Sequence, residues 1–508
     1  MASYLNISNS PWGQTMAHKV LFLFFLGMAG QALGSTCEEI GKLNLDNVAI
    51  TASEEVPAGD YQIPDSPLAV KLPSHCSVKV ILTPSSDSHI EMELWMPSTN
   101  WNGKFLALGN GGWAGSISYA AMASGLEEGY AVASNDTGHK EYSAAFAVGH
   151  PEKLVDFGYR SMHEMAIHSK TIIEHFYERA PALSYFEGCS TGGRQGLMEA
   201  QRFPEDFDAI IAGAPVNNMF NVSAAQMHSM VSILSDQSLY LPPEKVQLLH
   251  KAVLYACESV DGVNDGFLNN PMACHFDPQT LQCSATATIA CLTPGQVASV
   301  QQVYAPVKMS NGQEVYPGHA PGFELGWRML EQGAVPPTLQ SDTFKYIAHQ
   351  DPDWDWQTFD LDTDTTLALA RADDVSAIDP DLSEFKARGG KLLIYHGWND
   401  PGPSPYNSIN YYSAVLNTLG GDQSDWLRMF MMPGMGHCRG GIGPDHANFL
   451  HAVDNWREQG IAPNSIEASR IQDGNVDMTR SLCPYPQVAA WTGEGSSDIG
   501  ENFVCTVQ

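Results

Sequence analysis

Charge is what this chain has least of, and basic charge least of all. Asp, Glu, Lys and Arg make up 16% of the 508 residues, against roughly 25% in an ordinary globular chain. Lys and Arg number 26 against 57 Asp and Glu, a formal net charge of -31. A surface with that potential repels phosphate backbones and anionic lipid headgroups, so nucleic acid and membrane surfaces are poor partners. No C-x-x-C pair occurs, which argues against structural zinc. No internal repeat, coiled coil or long low-complexity linker is present either. Apolar residues are plentiful at 44%, enough to bury a large core and to exclude an intrinsically disordered chain. The length corresponds to about three average domains, or to one large domain with a big insertion.

An apolar run long enough to span a membrane is also missing. Met16-Ala17-His18-Lys19 leads into apolar residues from Val20 to Phe25 and on to Met28, and the segment closes on Ala32-Leu33-Gly34. Gly27 and Gly30 break the run, and it falls short of the roughly 20 apolar residues of a transmembrane helix. It reads as a secretory signal peptide ending near residue 34, so the mature protein is expected to be extracellular and to begin near Ser35. The polar residues ahead of Met16 fit an upstream Met wrongly taken as the start, or a long n-region.

Secretion changes the meaning of the ten cysteines. An even number in an oxidising compartment favours five disulfides over a metal cluster. The sequence leaves the connectivity open. Short-range pairing would join Cys257 with Cys274, Cys283 with Cys291 and Cys483 with Cys505, leaving Cys37 near Cys76, and Cys189 with Cys438.

Short β-rich runs alternate with helical ones, the order of an α/β protein with a mostly parallel sheet. The predicted strands are 79–82, 90–96, 105–108, 131–134, 183–187, 209–212, 391–396 and 428–432. The predicted helices are 161–178, 193–202, 406–419 and 445–459. Between Val216 and about Arg388 the alternation stops and Pro, Gly and four cysteines accumulate. The expected organisation is therefore a core in two parts, residues 35–217 and 389–508, with an inserted lid over 218–388.

Gly188-Cys189-Ser190-Thr191-Gly192 matches G-x-S-x-G between a predicted strand and a predicted helix. That strand, sharp turn and helix expose a nucleophilic Ser at the top of an α/β-hydrolase sheet, whereas the pentapeptide alone is common by chance. An alcohol is a poor nucleophile at neutral pH and needs a base held by a carboxylate, in the chain order Ser, acid, His. Asp400 follows the strand 391–396 and His437 follows the strand 428–432, so both fall where sheet ends converge. Cys189 precedes Ser190 and Cys438 follows His437; if bonded, they staple nucleophile to base. Two backbone donors are needed for the oxyanion: the N–H of Thr191, and one from Gly111 or Gly112 in the loop after strand 105–108. That loop has no Walker lysine and fails G-x-G-x-x-G, so it is not a phosphate cradle.

With the Cys-Ser, Asp and His-Cys elements, the Gly-rich loop, the Ser134-Asn-Asp-Thr-Gly-His139 run and the ten-Cys layout, the chain resembles the tannase and feruloyl esterase family from about Cys37 to Cys505. The resemblance implies an α/β-hydrolase with a large lid that splits esters of aromatic acids, a triad of Ser190, Asp400 and His437, and disulfides Cys37–Cys76, Cys189–Cys438, Cys257–Cys274, Cys283–Cys291 and Cys483–Cys505. It bears also on the turn from Glu258 to Phe267. Read from its residues, that turn is acidic and bent by Gly262 and Gly266, and not an EF-hand. The resemblance implies a structural calcium held by Glu258, Asp261 and Asp265 with the carbonyls of Val263 and Phe267, although Glu258 stands where Asp is usual. No organic cofactor is implied.

Two sequons follow residue 34, Asn135-Asp-Thr137 and Asn221-Val-Ser223, with a glycan expected on Asn221 rather than Asn135. Asp136 and His139 precede the nucleophile in the chain and are expected to be structural. Trp327, Trp354, Trp356 and Trp398 are expected to offer flat surfaces for an aromatic acyl group. Fungal tannases of the resembled family often carry a Lys-Arg processing site, and no Lys-Arg dipeptide occurs here. That tilts the expected substrate toward hydroxycinnamate esters and away from gallate esters. A binding protein on an inactive hydrolase scaffold is the non-enzymatic alternative. Oligomeric state is not legible in the sequence.

Overall fold

The computed structural model describes residues 35–507 except 65, 68, 285–289 and 330–337. The expected signal peptide therefore lies outside the described residues.

Nine strands form one sheet: β1 (Val48–Val56), β2 (His75–Leu82), β3 (Ile90–Pro97), β4 (Lys104–Leu108), β5 (Ala131–Asn135), β6 (Leu183–Cys189), β7 (Ala209–Gly213), β8 (Lys391–Gly397) and β9 (Leu427–Met432). Their spatial order is β1-β2-β3-β5-β4-β6-β7-β8-β9. The first three strands pair antiparallel, as does β3 with β5, and every pair from β5 to β9 is parallel. Parallel strands lie under helices on both faces and so carry near-continuous apolar runs. Ala209-Ile-Ile-Ala-Gly213, buried at every position, is such a run. Alternate residues feed two cores. Phe105 and Ala107 join Phe186, Ile210 and Ile394 on one face, while Leu106 and Leu108 join Tyr185, Ile211 and Leu393 on the other.

The helices flanking this sheet include α1 (Tyr119–Glu127), α2 (Ser161–Tyr177), α3 (Thr191–Arg202), α4 (Pro405–Leu419) and α5 (Phe449–Gln459). Helix α2 packs Met162, Met165 and Ile172 into the first core, and α5 packs Phe449 and Val453 into the second. Every predicted strand is present. Strand β1 was not legible because its Ile-Thr-Ala-Ser-Glu-Glu stretch lies half-exposed at a sheet edge, and α1 was hidden by its run of Ala, Ser and Gly. Helix α5 begins at Phe449 rather than Asp445. His446 and Ala447 instead pair antiparallel with Ser469 and Ala468, and Asn448 caps the helix by accepting from His451 N–H.

Among the described residues between β7 and β8, no strand joins the large sheet. The segment is nevertheless rich in helix, with Met219–Ser235, Pro243–Cys257 and Pro294–Tyr304 among its members. Part of it shares a core with the sheet-bearing part, where Phe220 and Phe344 cluster with Trp113 and Phe157. The five disulfides join Cys37–Cys76, Cys189–Cys438, Cys257–Cys274, Cys283–Cys291 and Cys483–Cys505. Among the described residues no helix is long and apolar enough to cross a membrane.

Candidate active site

Ser190 sits between the end of β6 and the start of α3 with φ 64° and ψ -120°, a conformation that L-residues avoid unless their surroundings impose it. Its surroundings are tight. A β-carbon on Gly188 would lie 2.6 Å from the carbonyl carbon of Gly192, so only glycine allows the strand and helix to meet there. The turn is pinned to β7: Ser190 N–H donates to Gly213 O at 2.9 Å, and Ser190 O accepts from Arg194 and Val216 N–H at 3.0 and 3.1 Å.

The neighbouring strand ends bring Asp400 and His437 to this turn. Trp398 N–H donates to Met432 O at 2.9 Å and Asn399 N–H to Met435 O at 3.0 Å, so the loops after β8 and β9 travel together. Asp400 is fully buried. Its Oδ2 accepts from His437 Nδ1 at 2.7 Å, and its Oδ1 from Gly402 N–H at 2.8 Å. With the proton on Nδ1, His437 Nε2 is free to accept from Ser190 Oγ at 2.9 Å. The Cys189–Cys438 bond ties the two residues adjoining this contact. Sequence reasoning missed a second imidazole, His396, which also reaches Asp400 Oδ2. Its only signal was a His closing a strand four residues before the acid. Also missed were two fasteners from the insertion, Gly318 O accepting from Ser404 Oγ and Gly322 O accepting from Asn399 Nδ2.

Burial works to raise the Asp400 pKa, but the charge of His437 and hydrogen bonds from His396 and His437 outweigh it and hold the carboxyl well below its usual range. Burial works to lower the His437 pKa, and Asp400, by charge and hydrogen bond, outweighs it and raises the imidazole above its ordinary value. Only neutral His437 can accept a proton from Ser190, so a raised pKa keeps it unavailable to a higher pH. The expected outcome is a kcat/KM that falls as pH drops, with its midpoint above the usual histidine value of about 6.5. A pH-rate profile checks this, and a midpoint in the ordinary carboxylate range would assign the base elsewhere.

Beside the turn lies the loop after β4. Thr191 opens α3, so its N–H is one of the terminal donors without an intrahelical acceptor. Thr191 Oγ1 donates to Gly112 O at 2.9 Å, and Gly192 N–H to Asn110 O at 2.8 Å, which hold the loop against the helix N-terminus. Gly112 has φ 57°, and a β-carbon there would meet Tyr142 Oη at 2.2 Å. Gly111 faces open space. Gly112 is thus held against Thr191, the residue that follows Ser190, with Gly111 next to it in the same loop.

The other expected residues fall elsewhere. Asp136 accepts from Glu91 and Gly138 N–H, and His139 Nε2 bonds Trp113 O at 2.7 Å, so both organise their loop and do not touch Ser190, Asp400 or His437. Neither sequon asparagine offers its nitrogen in the fold. Asn135 is buried with Nδ2 on Ser161 O, and Asn221, part-buried in a helix, gives Nδ2 to Val315 O at 2.7 Å. Trp327 and Trp398 are buried in the core, and Trp354 and Trp356 pack partly against a core cluster. The expected flat surfaces are therefore largely spent on packing.

In the turn 258–267, Gly262 and Gly266 take φ 84° and 93°. Glu258 accepts from Gly266 N–H, and Asp265 pairs with Arg480. Val263 and Phe267 are buried, and the Asp261 side chain lies outside what is described. Carboxylate and carbonyl oxygens on so short a bend fit a hard cation such as calcium.

The family model described as tannase and feruloyl esterase matches residues 76–506. An uncharacterized esterase of Xanthomonas campestris is 33% identical, with 93% of this chain and 91% of that protein covered. The probable feruloyl esterase B-2 of Aspergillus oryzae is also 33% identical, covering 90% of this chain and 92% of its own. The crystal structure of feruloyl esterase B from Aspergillus oryzae superposes with a TM-score of 0.88 at 31% identity, over 92% of this chain and 99% of that one. Tannin acyl hydrolase from Aspergillus niger shares the fold, with a TM-score of 0.77 at 22% identity over 93% of this chain and 95% of its own. The chain, an α/β protein with a serine–histidine–carboxylate contact at the ends of its parallel strands, belongs to the tannase and feruloyl esterase family of carboxylic ester hydrolases.

Proposed function

We propose that the protein is a secreted serine esterase that cleaves esters of hydroxycinnamic acids through an acyl-enzyme. The observation that carries the mechanism is the unbroken contact from Ser190 Oγ to His437 and on to buried Asp400. His437 Nε2 takes the hydroxyl proton as Ser190 attacks the ester carbonyl. Asp400 holds the ring and stabilises the imidazolium, which then protonates the leaving alcohol. Water repeats the sequence in reverse to release the acid. The N–H of Thr191 and one from Gly111 or Gly112 receive the negative oxygen of each tetrahedral intermediate. Secretion is supported by the apolar segment before Ser35 and by five disulfides.

The hydroxycinnamate assignment draws on the feruloyl esterase B relatives, which are nearer in sequence than the tannin acyl hydrolase. A substrate panel tests it. The kcat/KM is expected to be at least about tenfold higher on methyl ferulate, caffeate or coumarate than on methyl gallate or a long-chain fatty ester. Preference for gallate would transfer the protein to the tannase reading, and preference for the fatty ester would contradict an aromatic acyl site.

Glu258, Asp261 and Asp265, with the carbonyls of Val263 and Phe267, would hold calcium, which when bound would neutralise the clustered carboxylates and fix the bend. None of these residues bonds to Ser190, Asp400 or His437, so the ion's expected contribution is to stability. Chelation is expected to lower the Tm by several degrees while folded protein keeps its kcat. An unchanged Tm, with no metal in the purified protein, would remove the site.

A further inference from the structure

Asp400 serves two imidazoles. His396 is the penultimate residue of β8 and is fully buried. Its Nε2 lies 3.2 Å from Asp400 Oδ2 and 3.1 Å from Pro403 O. Both of those atoms are acceptors, so Nε2 carries the hydrogen and shares it between them. Nδ1 then has only a lone pair to offer, and Ser408 Oγ donates to it at 2.7 Å. Ser408 is buried on α4, so the tautomer is set from a rigid element. The consequence falls on Asp400 Oδ2, which receives His396 and His437 together, while Oδ1 is taken by Gly402 N–H.

We propose that His396 is a positioning residue: its Nε2–H fixes the Asp400 carboxylate in the orientation that meets His437, and by drawing on the same oxygen it limits how tightly Asp400 holds a proton on His437. The inference rests on the serine esterase reading above. A carboxylate with one donor fewer is a stronger acceptor for the donor that remains. Loss of the His396 contact therefore favours the imidazolium of His437 and withholds the base until higher pH. Two other ionisable groups act on Asp400, both from the insertion. Burial, with the charge of Asp400 adding to it, keeps the Tyr316 hydroxyl protonated, and burial pushes His319 down to about 4. Neither changes charge over the range where His437 titrates.

The test is kcat and kcat/KM against pH on methyl ferulate for the full chain and for His396→Leu, His396→Gln and Ser408→Ala, with Ser190→Ala alongside. Leu removes the donor, whereas Gln can return an N–H to the same place. His396→Leu is expected to lower kcat about tenfold with KM nearly unchanged, and to move the acid limb upward by about half a pH unit or more. His396→Gln is expected to restore the limb toward wild type. Ser408→Ala, which weakens the N–H by removing the hydroxyl on Nδ1, is expected to move it the same way by less, and it carries the test if the Leu variant does not fold. An acid limb that stays with the wild type in these variants, or that moves equally with Leu and Gln, overturns the inference. If Ser190→Ala is inactive in that same assay, the esterase reading stands without it. A Ser190→Ala protein with wild-type activity would overturn both.

Discussion

Replacing Cys189 and Cys438 together with Ala is expected to lower kcat/KM about 100-fold or more in protein that still folds, because small misplacements of reacting groups cost that much. Replacing Cys483 and Cys505 is expected to leave the kcat/KM of folded protein within about threefold, because neither residue adjoins Ser190, Asp400 or His437. The two bonds differ in what they join. Cys189 and Cys438 adjoin Ser190 and His437, which come from strands on either side of a long insertion, 249 residues apart for the bonded pair. The other bond joins residues 22 apart near the C-terminus, within a small cluster of Val263, Ala489 and Phe503. Chain entropy predicts that the long-range bond stabilises the fold by about 5 kcal/mol as an upper figure, so activity must be normalised to folded protein by circular dichroism. Positional loss then separates from global loss: lower kcat with native spectra belongs to the contact between Ser190 and His437. Equal kinetic losses from the two double substitutions would contradict the staple.

The parallel part of the sheet was legible because buried strands write continuous apolar runs, as in 209–212 and 392–395. The positions of Ser190, Asp400 and His437 were legible because their turns follow such runs in the order Ser, acid, His. What the sequence hides is whatever depends on partners distant along the chain. His396 looked like the last residue of a strand, and its contact with Asp400 exists only because the loop 399–404 folds back beneath it. Trp327 and Trp398 looked like exposed platforms and are core residues, since a large aromatic side chain is worth more buried than displayed. The Asn221 triplet likewise does not reveal that its nitrogen reaches the Val315 carbonyl across the insertion. Helices of the insertion were obscured by Pro, Gly and cysteine between them, and their amphipathic faces meet several small cores instead of one sheet.

A fluorophosphonate reports on Ser190 itself, because it bonds to a serine only when a base removes its proton and donors receive the developing oxyanion. Folded protein is treated with the reagent, mapped by peptide mass spectrometry, and assayed on methyl ferulate in parallel with Ser190→Ala. One label per chain is expected, carried by Ser190, with complete loss of hydrolysis. Ser190→Ala is expected to take no label and to show a kcat lower by about five orders of magnitude or more. Folded protein that takes no label, or hydrolysis that survives the loss of the Ser190 hydroxyl, would contradict this expectation and leave a binding protein on a hydrolase scaffold.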